Sequence, residues 1–219
     1  MGILTSVLDL LFPPKCAFCR QILRREQGIC SACADVLPLC EGADAVQTGE
    51  FYSACVSPLL YEDAVRESHH RYKFGGARWY AKVYAPLLAA CVTEHFAGRY
   101  DFISWVPLSR KRLRKRGYDQ AKLLADATAN VLGVKSIPTL KKTKHTTAQS
   151  GLGGRDIRRA NISGAYKVSD STAIAGKRIL LIDDVLTTGA TLSECARCLL
   201  MADAEEVLCA TLARVADRT

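Results

Sequence analysis

The sequence predicts an α/β protein, a mainly parallel sheet flanked by helices, with a small four-cysteine metal module at its N-terminal end. Three observations carry this. Near the C-terminus an apolar run, KRILLIDD, is followed by a helical pattern, ATLSECARCLLMA, and a second apolar run, EEVLCATLARV. Strand, helix, strand with a tight first turn is a right-handed βαβ unit, which needs a parallel sheet. Two C-x2-C pairs lie within the first 33 residues, and 219 residues suffice for one buried core plus a smaller module.

Composition narrows the class. With 49% apolar and 24% charged residues the chain is neither disordered nor fibrous, and no apolar run approaches the ~18 residues of a membrane span. The start, MGILTSVLDLLFPPKC, lacks a basic n-region and a small-residue cleavage site, and Asp9 interrupts it, so it reads as a short helix or strand docking on the body. Met1, Gly2 and Ser6 fit a myristoylation pattern with too few fixed letters to carry weight. Ten cysteines without a signal peptide point to thiols kept reduced, and so to a cytoplasmic protein.

The elements follow in order. Residues 1–57 read as the metal module, too poor in apolar residues to fold without an ion; residues 58–219 read as the larger domain. Its entry is a short strand and two helical patterns separated by Gly75 and Gly76. DFISWVPLS (101–109) is a buried strand ending at Pro107, and QAKLLADATANVLG (120–133) is a helix with Gly133 as its C-cap. Residues 141–161 are basic, glycine-bearing and without period, which predicts a long mobile loop. Leu192, Cys195, Ala196 and Leu199 mark the buried face of the last helix, so Cys195 and Cys198 are packing residues. His69 and His70 are one helix step apart and make no metal pair. No internal repeat is present.

Cys16 and Cys19, then Cys30 and Cys33, form two turns that each offer two sulfurs at ~2.3 Å to one tetrahedral zinc ion. An iron–sulfur cluster is the rival for a four-thiolate site. Redox C-x-x-C motifs fit less well, since neither pair follows a strand of a βαβ pattern.

In RILLIDDVLTTGATL (178–192) two carboxylates end a buried strand. Ligands of parallel sheets bind beyond the carboxyl ends of the strands, where helix N-termini favour anions. Thr187, Thr188 and Thr191 supply hydroxyls, and Gly189 lets a phosphate approach the backbone. Asp183 and Asp184 can accept hydrogen bonds from vicinal hydroxyls, so a phosphorylated ribose matches both halves of the motif. Walker A and G-x-G-x-x-G patterns are absent. The net charge of +8 is concentrated in RKRLRKR (110–116), KKTKH (141–145) and RDIRR (155–159), which suit phosphates of a small substrate or of nucleic acid, although any one run alone suits a solvated loop.

ILLIDDVLTTGAT resembles the phosphoribosyl diphosphate (PRPP) motif of type I phosphoribosyltransferases. VPLSRKRLRKRGYDQAKLLA, YKFGG and KTKHTTAQSGLGGRDIRRAN resemble segments of one branch, the ComF family (ComFC- and GntX-like proteins), which joins a four-cysteine zinc finger to a phosphoribosyltransferase domain. The resemblance implies a type I phosphoribosyltransferase-like fold. It implies ribose hydroxyls on Asp183 and Asp184, the 5′-phosphate on Thr187, Thr188, Gly189, Ala190 and Thr191, and a mobile hood over 143–161. It places Ser109 and Arg110 in the pyrophosphate loop, and Lys111 and Arg155 join them as candidate pyrophosphate partners. Two residues depart from the pattern: Ser109 stands for a His, and Asp119 for an Asn. The second cysteine cluster of some relatives is missing.

Three functions follow as expectations. In the first, Mg²⁺ and cations neutralise pyrophosphate as it leaves PRPP and the phosphoribosyl group passes to an acceptor that no residue identifies. In the second, implied by the resemblance, the chain is a competence factor of DNA uptake and natural transformation, working with the uptake machinery. Basic runs near Tyr118 and Trp105 would then hold single-stranded DNA or nucleotides by phosphate contacts and stacking, without turnover. In the third, the chain senses PRPP. The zinc is structural in all three, because a closed four-thiolate site has no open position.

Overall fold

The computed structural model describes residues 13–23, 28–143 and 162–216. Their elements are α1 (Ser31–Ala34), a 3-10 turn (Gly42–Ala45), β1 (Val46–Gln47), β2 (Cys55–Val56), β3 (Leu59–Leu60), α2 (Asp63–Phe74) and α3 (Tyr80–Phe96). After these come β4 (Phe102–Trp105), α4 (Arg110–Arg116), α5 (Gln120–Leu132), β5 (Leu140–Lys142) and β6 (Tyr166–Val168), and finally β7 (Arg178–Leu186), α6 (Ala190–Leu200) and β8 (Glu206–Arg214).

The main sheet runs β1-β2-β8-β7-β4, with β3 also on β8. All its pairs are parallel except β1 with β2. β7 and β8 form its spine, paired from Arg178↔Glu206 to Leu186↔Arg214. Both are buried on two faces, which is why they read as continuous apolar runs rather than as an alternation. The period of two still sorts their side chains. Leu180, Ile182, Leu208, Ala210 and Leu212 join Ile103 and Trp105 in one core under α3 and α5, while Ile179, Leu181, Val207 and Cys209 join Phe102 in a second core under Leu192, Cys195, Ala196 and Leu199 of α6.

Gly133 caps α5 in the left-handed region at φ +69°, its N–H bonded to Ala129. The basic run 110–116 folds as a helix, because Ser109 accepts the Arg112 N–H at its N-cap and Gly117, at φ +80°, closes it. Lys141 and Lys142, expected in a loop, pair as β5 with β6, Lys142 opposite Tyr166. The rest of that segment, 144–161, lies outside the described residues.

The cysteine region packs into the main body. Phe18 lies against Tyr84 at 6.0 Å between ring centroids, and its carbonyl, with that of Ala17, accepts hydrogen bonds from Arg71 of α2. Ser68 also donates to Ala17, at 2.6 Å. These bonds tie the cysteine-bearing turns to α2, which carries residues of the site described next.

Candidate ribose-phosphate and metal sites

Asp183 and Asp184 sit on β7 near its carboxyl end. Successive strand side chains face opposite sides of a sheet, so Asp184 follows Leu180 and Ile182 toward α2 and α5, while Asp183 follows Ile179 and Leu181 toward α6. The pleat thus separates two like charges that adjacency in sequence would crowd.

Asp184 is buried and already engaged. Its Oδ2 lies 2.8 Å from Lys73 Nζ, 3.0 Å from His69 Nε2 and 3.2 Å from Gln120 Nε2, and its Oδ1 accepts the Val185 N–H at 3.0 Å. Burial works against its charge, but the Lys73 ammonium and the His69 imidazole outweigh burial and hold its carboxyl well below the usual carboxylate range. Asp183 goes the other way: burial and then the Asp184 charge push its carboxyl well above that range. It is half-buried, and its Oδ1 accepts the Asp184 N–H at 2.8 Å. The two carboxylates are therefore unlike. Asp184 is a fixed anion inside a network, whereas Asp183 faces the cleft and gains from a hydroxyl or cationic partner.

A cleft of about 280 Å³ opens over them. It is lined by Asp183, Asp184, Thr187 and Thr191 from the β7–α6 turn, and by Tyr61, His69, Lys73, Gln120, Tyr166, Arg112, Arg116 and Lys142 from surrounding elements. Gly189, at φ +71°, turns the chain into α6, with Ala190 as the first helical residue. A Cβ at 189 would lie 2.7 Å from Tyr52 Oη, so glycine is needed for space as well as for φ. Thr187 and Thr191 face the cleft, and Thr188 is exposed.

The cations differ from those the sequence suggests. Ser109 is a buried helix cap, and Arg110 and Lys111 point outward. Arg112 and Arg116, one turn apart on α4, face the cleft instead, since four residues separate neighbours on one helical face. Arg110 lines an adjoining cleft with Ser109, Lys141 and Lys142. Burial, and then the Arg112 charge, lower the pKa of Lys142; burial also lowers that of Arg116. Arg155 lies outside the described residues. Asp119 caps α5 through the Lys122 N–H and accepts the Leu108 N–H at 2.8 Å, and burial raises its pKa. Its departure from Asn therefore sits in a backbone cap.

Tyr118 and Trp105, expected to stack on bases, are 6% and 8% exposed and belong to the interior. Phe74 and Trp79, at 62% and 46%, are the open aromatics of this region. Arg116 lies over the Phe74 ring at 5.2 Å. Trp79 borders a cleft with Lys15, Arg20 and Arg71. Sequence reasoning missed His69, Gln120 and Tyr61, and reached Lys73 only through the YKFGG resemblance. The spacing of His69 and Lys73 at i and i+4 was the available signal for one shared partner.

The ligand atoms of Cys16, Cys19, Cys30 and Cys33 all lie within 4.8 Å of one another. The Cys30 N–H points at Cys16 Sγ and the Cys33 N–H at Cys30 Sγ, each at 3.4 Å. Burial disfavours a Cys16 thiolate, but the amides of Cys30, Cys19 and Phe18 prevail and bring its pKa down to about 6. Four sulfurs on two amide-lined turns suit a closed tetrahedral zinc site. Among the described residues, no other group of three or more His, Cys, Asp or Glu side chains is arranged to hold an ion, and no helix is long and apolar enough to cross a membrane.

The parallel sheet, the acidic strand end and the threonine–glycine turn define a phosphoribosyltransferase-type domain joined to a zinc ribbon. The family model described as phosphoribosyl transferase domain matches residues 119–219, and that described as double zinc ribbon domain matches residues 7–56. The chain belongs to the ComF family. It is 30% identical over 222 residues to competence protein F of Haemophilus influenzae, covering 91% of this chain and 96% of that one. It is 27% identical over 203 residues to competence protein ComFC of Bacillus subtilis, covering 88% of this chain and 81% of that one. A solved structure of glutamine PRPP amidotransferase from B. subtilis is similar at a TM-score of 0.43, with 19% identity over 62% of this chain and 26% of that one.

Proposed function

We propose that the chain binds PRPP, or a related ribose 5-phosphate, in the cleft over β7. The observation that carries this is the pairing of Asp183 with the Thr187–Thr191 turn inside a ring of Lys73, Arg112, Arg116 and Lys142. Lys73 is held by Asp184, whereas burial and the Arg112 charge weigh on Lys142 and burial on Arg116, and a pyrophosphate supplies negative charge for these. In this reading the Asp183 carboxylate takes the ribose hydroxyls, with Asp184 behind it. The 187–191 amides and hydroxyls take the 5′-phosphate at the start of α6. Mg²⁺ would arrive on the pyrophosphate oxygens, which are the hard ligands it prefers. Transfer of the phosphoribosyl group to an acceptor is the activity such a site supports, in a cytoplasmic protein built from a zinc-binding module (1–57) and a phosphoribosyltransferase-like domain (58–219). Titration calorimetry with Mg-PRPP tests the reading; absence of binding at millimolar ligand removes it.

A second reading adds nucleic acid. The relatives are called competence proteins; Phe74 and Trp79 are exposed, Arg116 lies over Phe74, and Trp79 shares one cleft with Arg71 and another with Arg78. Aromatic faces beside cations suit single-stranded DNA, and the relatives' names support a role in DNA uptake. Oligonucleotide binding that weakens steeply with salt supports it. Competition by PRPP decides whether the two ligands share one site.

A further inference from the structure

His69 is buried between two partners. Its Nε2 lies 3.0 Å from Asp184 Oδ2 and its Nδ1 lies 3.1 Å from Tyr61 Oη. Asp184, ionised beside Lys73, can only accept, so Nε2 carries a hydrogen. In the neutral ring Nδ1 is then the acceptor, and the Tyr61 hydroxyl donates to it. The Tyr61 ring meets the imidazole edge-on, 5.4 Å between centroids at 77°, which holds the hydroxyl in line. Tyr61 and His69 both line the ribose-phosphate cleft with Asp183, Thr187 and Thr191. A hydroxyl in the cleft, an imidazole behind it and a buried carboxylate behind the imidazole are the three parts of a proton relay, the arrangement by which serine hydrolases take up a nucleophile's proton.

We propose that Tyr61, His69 and Asp184 form the general base of phosphoribosyl transfer, and that the acceptor is a neutral O–H or N–H nucleophile that must lose a proton. The inference rests on the PRPP reading above. As the acceptor's oxygen or nitrogen bonds to the anomeric carbon, the bond from that carbon to pyrophosphate breaks, and pyrophosphate leaves with the electron pair. The acceptor's proton moves to Tyr61 Oη while the Tyr61 proton moves to His69 Nδ1. The resulting imidazolium lies against the Asp184 carboxylate, so no net charge is created in the relay without a partner. Tyr61 is the catalytic residue, because it touches the acceptor's proton; His69 and Asp184 position it and store the charge. Lys73, on the same Asp184 oxygen, keeps the carboxylate from taking the proton itself.

Water is the simplest acceptor of this class, so the test follows pyrophosphate release from Mg-PRPP by the full zinc-loaded chain. Tyr61→Phe keeps the ring against His69 and removes one hydroxyl; His69→Gln keeps an N–H donor toward Asp184 and an oxygen that can accept from Tyr61, and removes the ring nitrogen that takes up the proton, since an amide is not a base. Both variants should bind Mg-PRPP within about twofold of the parent by calorimetry and release pyrophosphate about 10²-fold more slowly, the usual scale of general-base catalysis. The solvent deuterium isotope effect, carried in the parent by two moving protons, should shrink in Tyr61→Phe, which a merely structural tyrosine would not cause. Parent-like release and isotope effect in Tyr61→Phe overturn the relay while leaving the PRPP site standing. A parent chain that binds Mg-PRPP and releases no pyrophosphate overturns it too. Failure of the parent to bind Mg-PRPP is the distinct outcome that removes the ribose-phosphate reading, and the relay with it.

Discussion

Asp183 and Asp184 are neighbours with opposite energetics, and substitution should separate them. Burial and the Asp184 charge raise the folded-state pKa of Asp183 above its unfolded value of about 3.9. Between those two values the fold binds a proton that the unfolded chain has released, so stability falls as pH rises through that window. Asp183→Asn should therefore raise Tm at pH 7, leave it unchanged near pH 3, and weaken Mg-PRPP at least tenfold. Asp184 has the reverse sign. Its folded pKa is depressed, so its stabilisation is complete above about 3.9 and is lost as pH falls through the folded value. Asp184→Asn should cost about 3–5 kcal/mol at pH 7 by leaving Lys73 and His69 without their anion. Thermal melts from pH 3 to 8 read both effects; equal shifts in the two variants would contradict the assignment. The sequence shows two identical letters, and only the pleat and the helices facing it make them different groups.

The helices and turns show which parts of the site were legible in advance. β7, α6, β8 and α5 announce themselves through apolar runs, helical spacing and Gly133, because local pattern and burial agree there. α4 does not. A helix of six cations and one leucine has no apolar stripe to read, and its existence depends on Ser109 and Gly117 at its ends. Once it is a helix, geometry selects Arg112 and Arg116 over Arg110 and Lys111. We expect Arg116→Ala and Arg112→Ala each to weaken Mg-PRPP severalfold to tenfold, with Arg110→Ala and Lys111→Ala close to the parent. The reverse ranking by calorimetry would mean that the adjoining Ser109–Arg110 cleft holds the pyrophosphate. In the β7–α6 turn, Gly189→Ala should cost about 1–2 kcal/mol from its φ of +71° alone. The contact with Tyr52 adds to this, so both Tm and PRPP affinity should drop.

Across the whole molecule, the four-cysteine turns and the cleft both bear on α2. The turns carrying Cys16 and Cys19 hold the carbonyls of Ala17 and Phe18 against Ser68 and Arg71. His69 and Lys73, on the same helix, reach Asp184. Removing zinc by chelation, or Cys30→Ser, should lower Tm and weaken Mg-PRPP severalfold although the ion touches no ligand. Undiminished affinity in a metal-free chain would show that α2 holds its place through the core alone. The sequence by itself determined the parallel sheet, the four-thiolate site and the acidic turn, since each follows from residues close together in the chain: apolar runs bury strands, paired cysteines close on an ion, and a strand end leads into a helix N-terminus. Tertiary structure alone decided which groups surround Asp184. Tyr61, His69, Lys73, Gln120 and Arg116 come from segments 64 or more residues away in the chain, brought together by α2, α4 and α5 packing around one strand end, and no local pattern records a contact made across that separation.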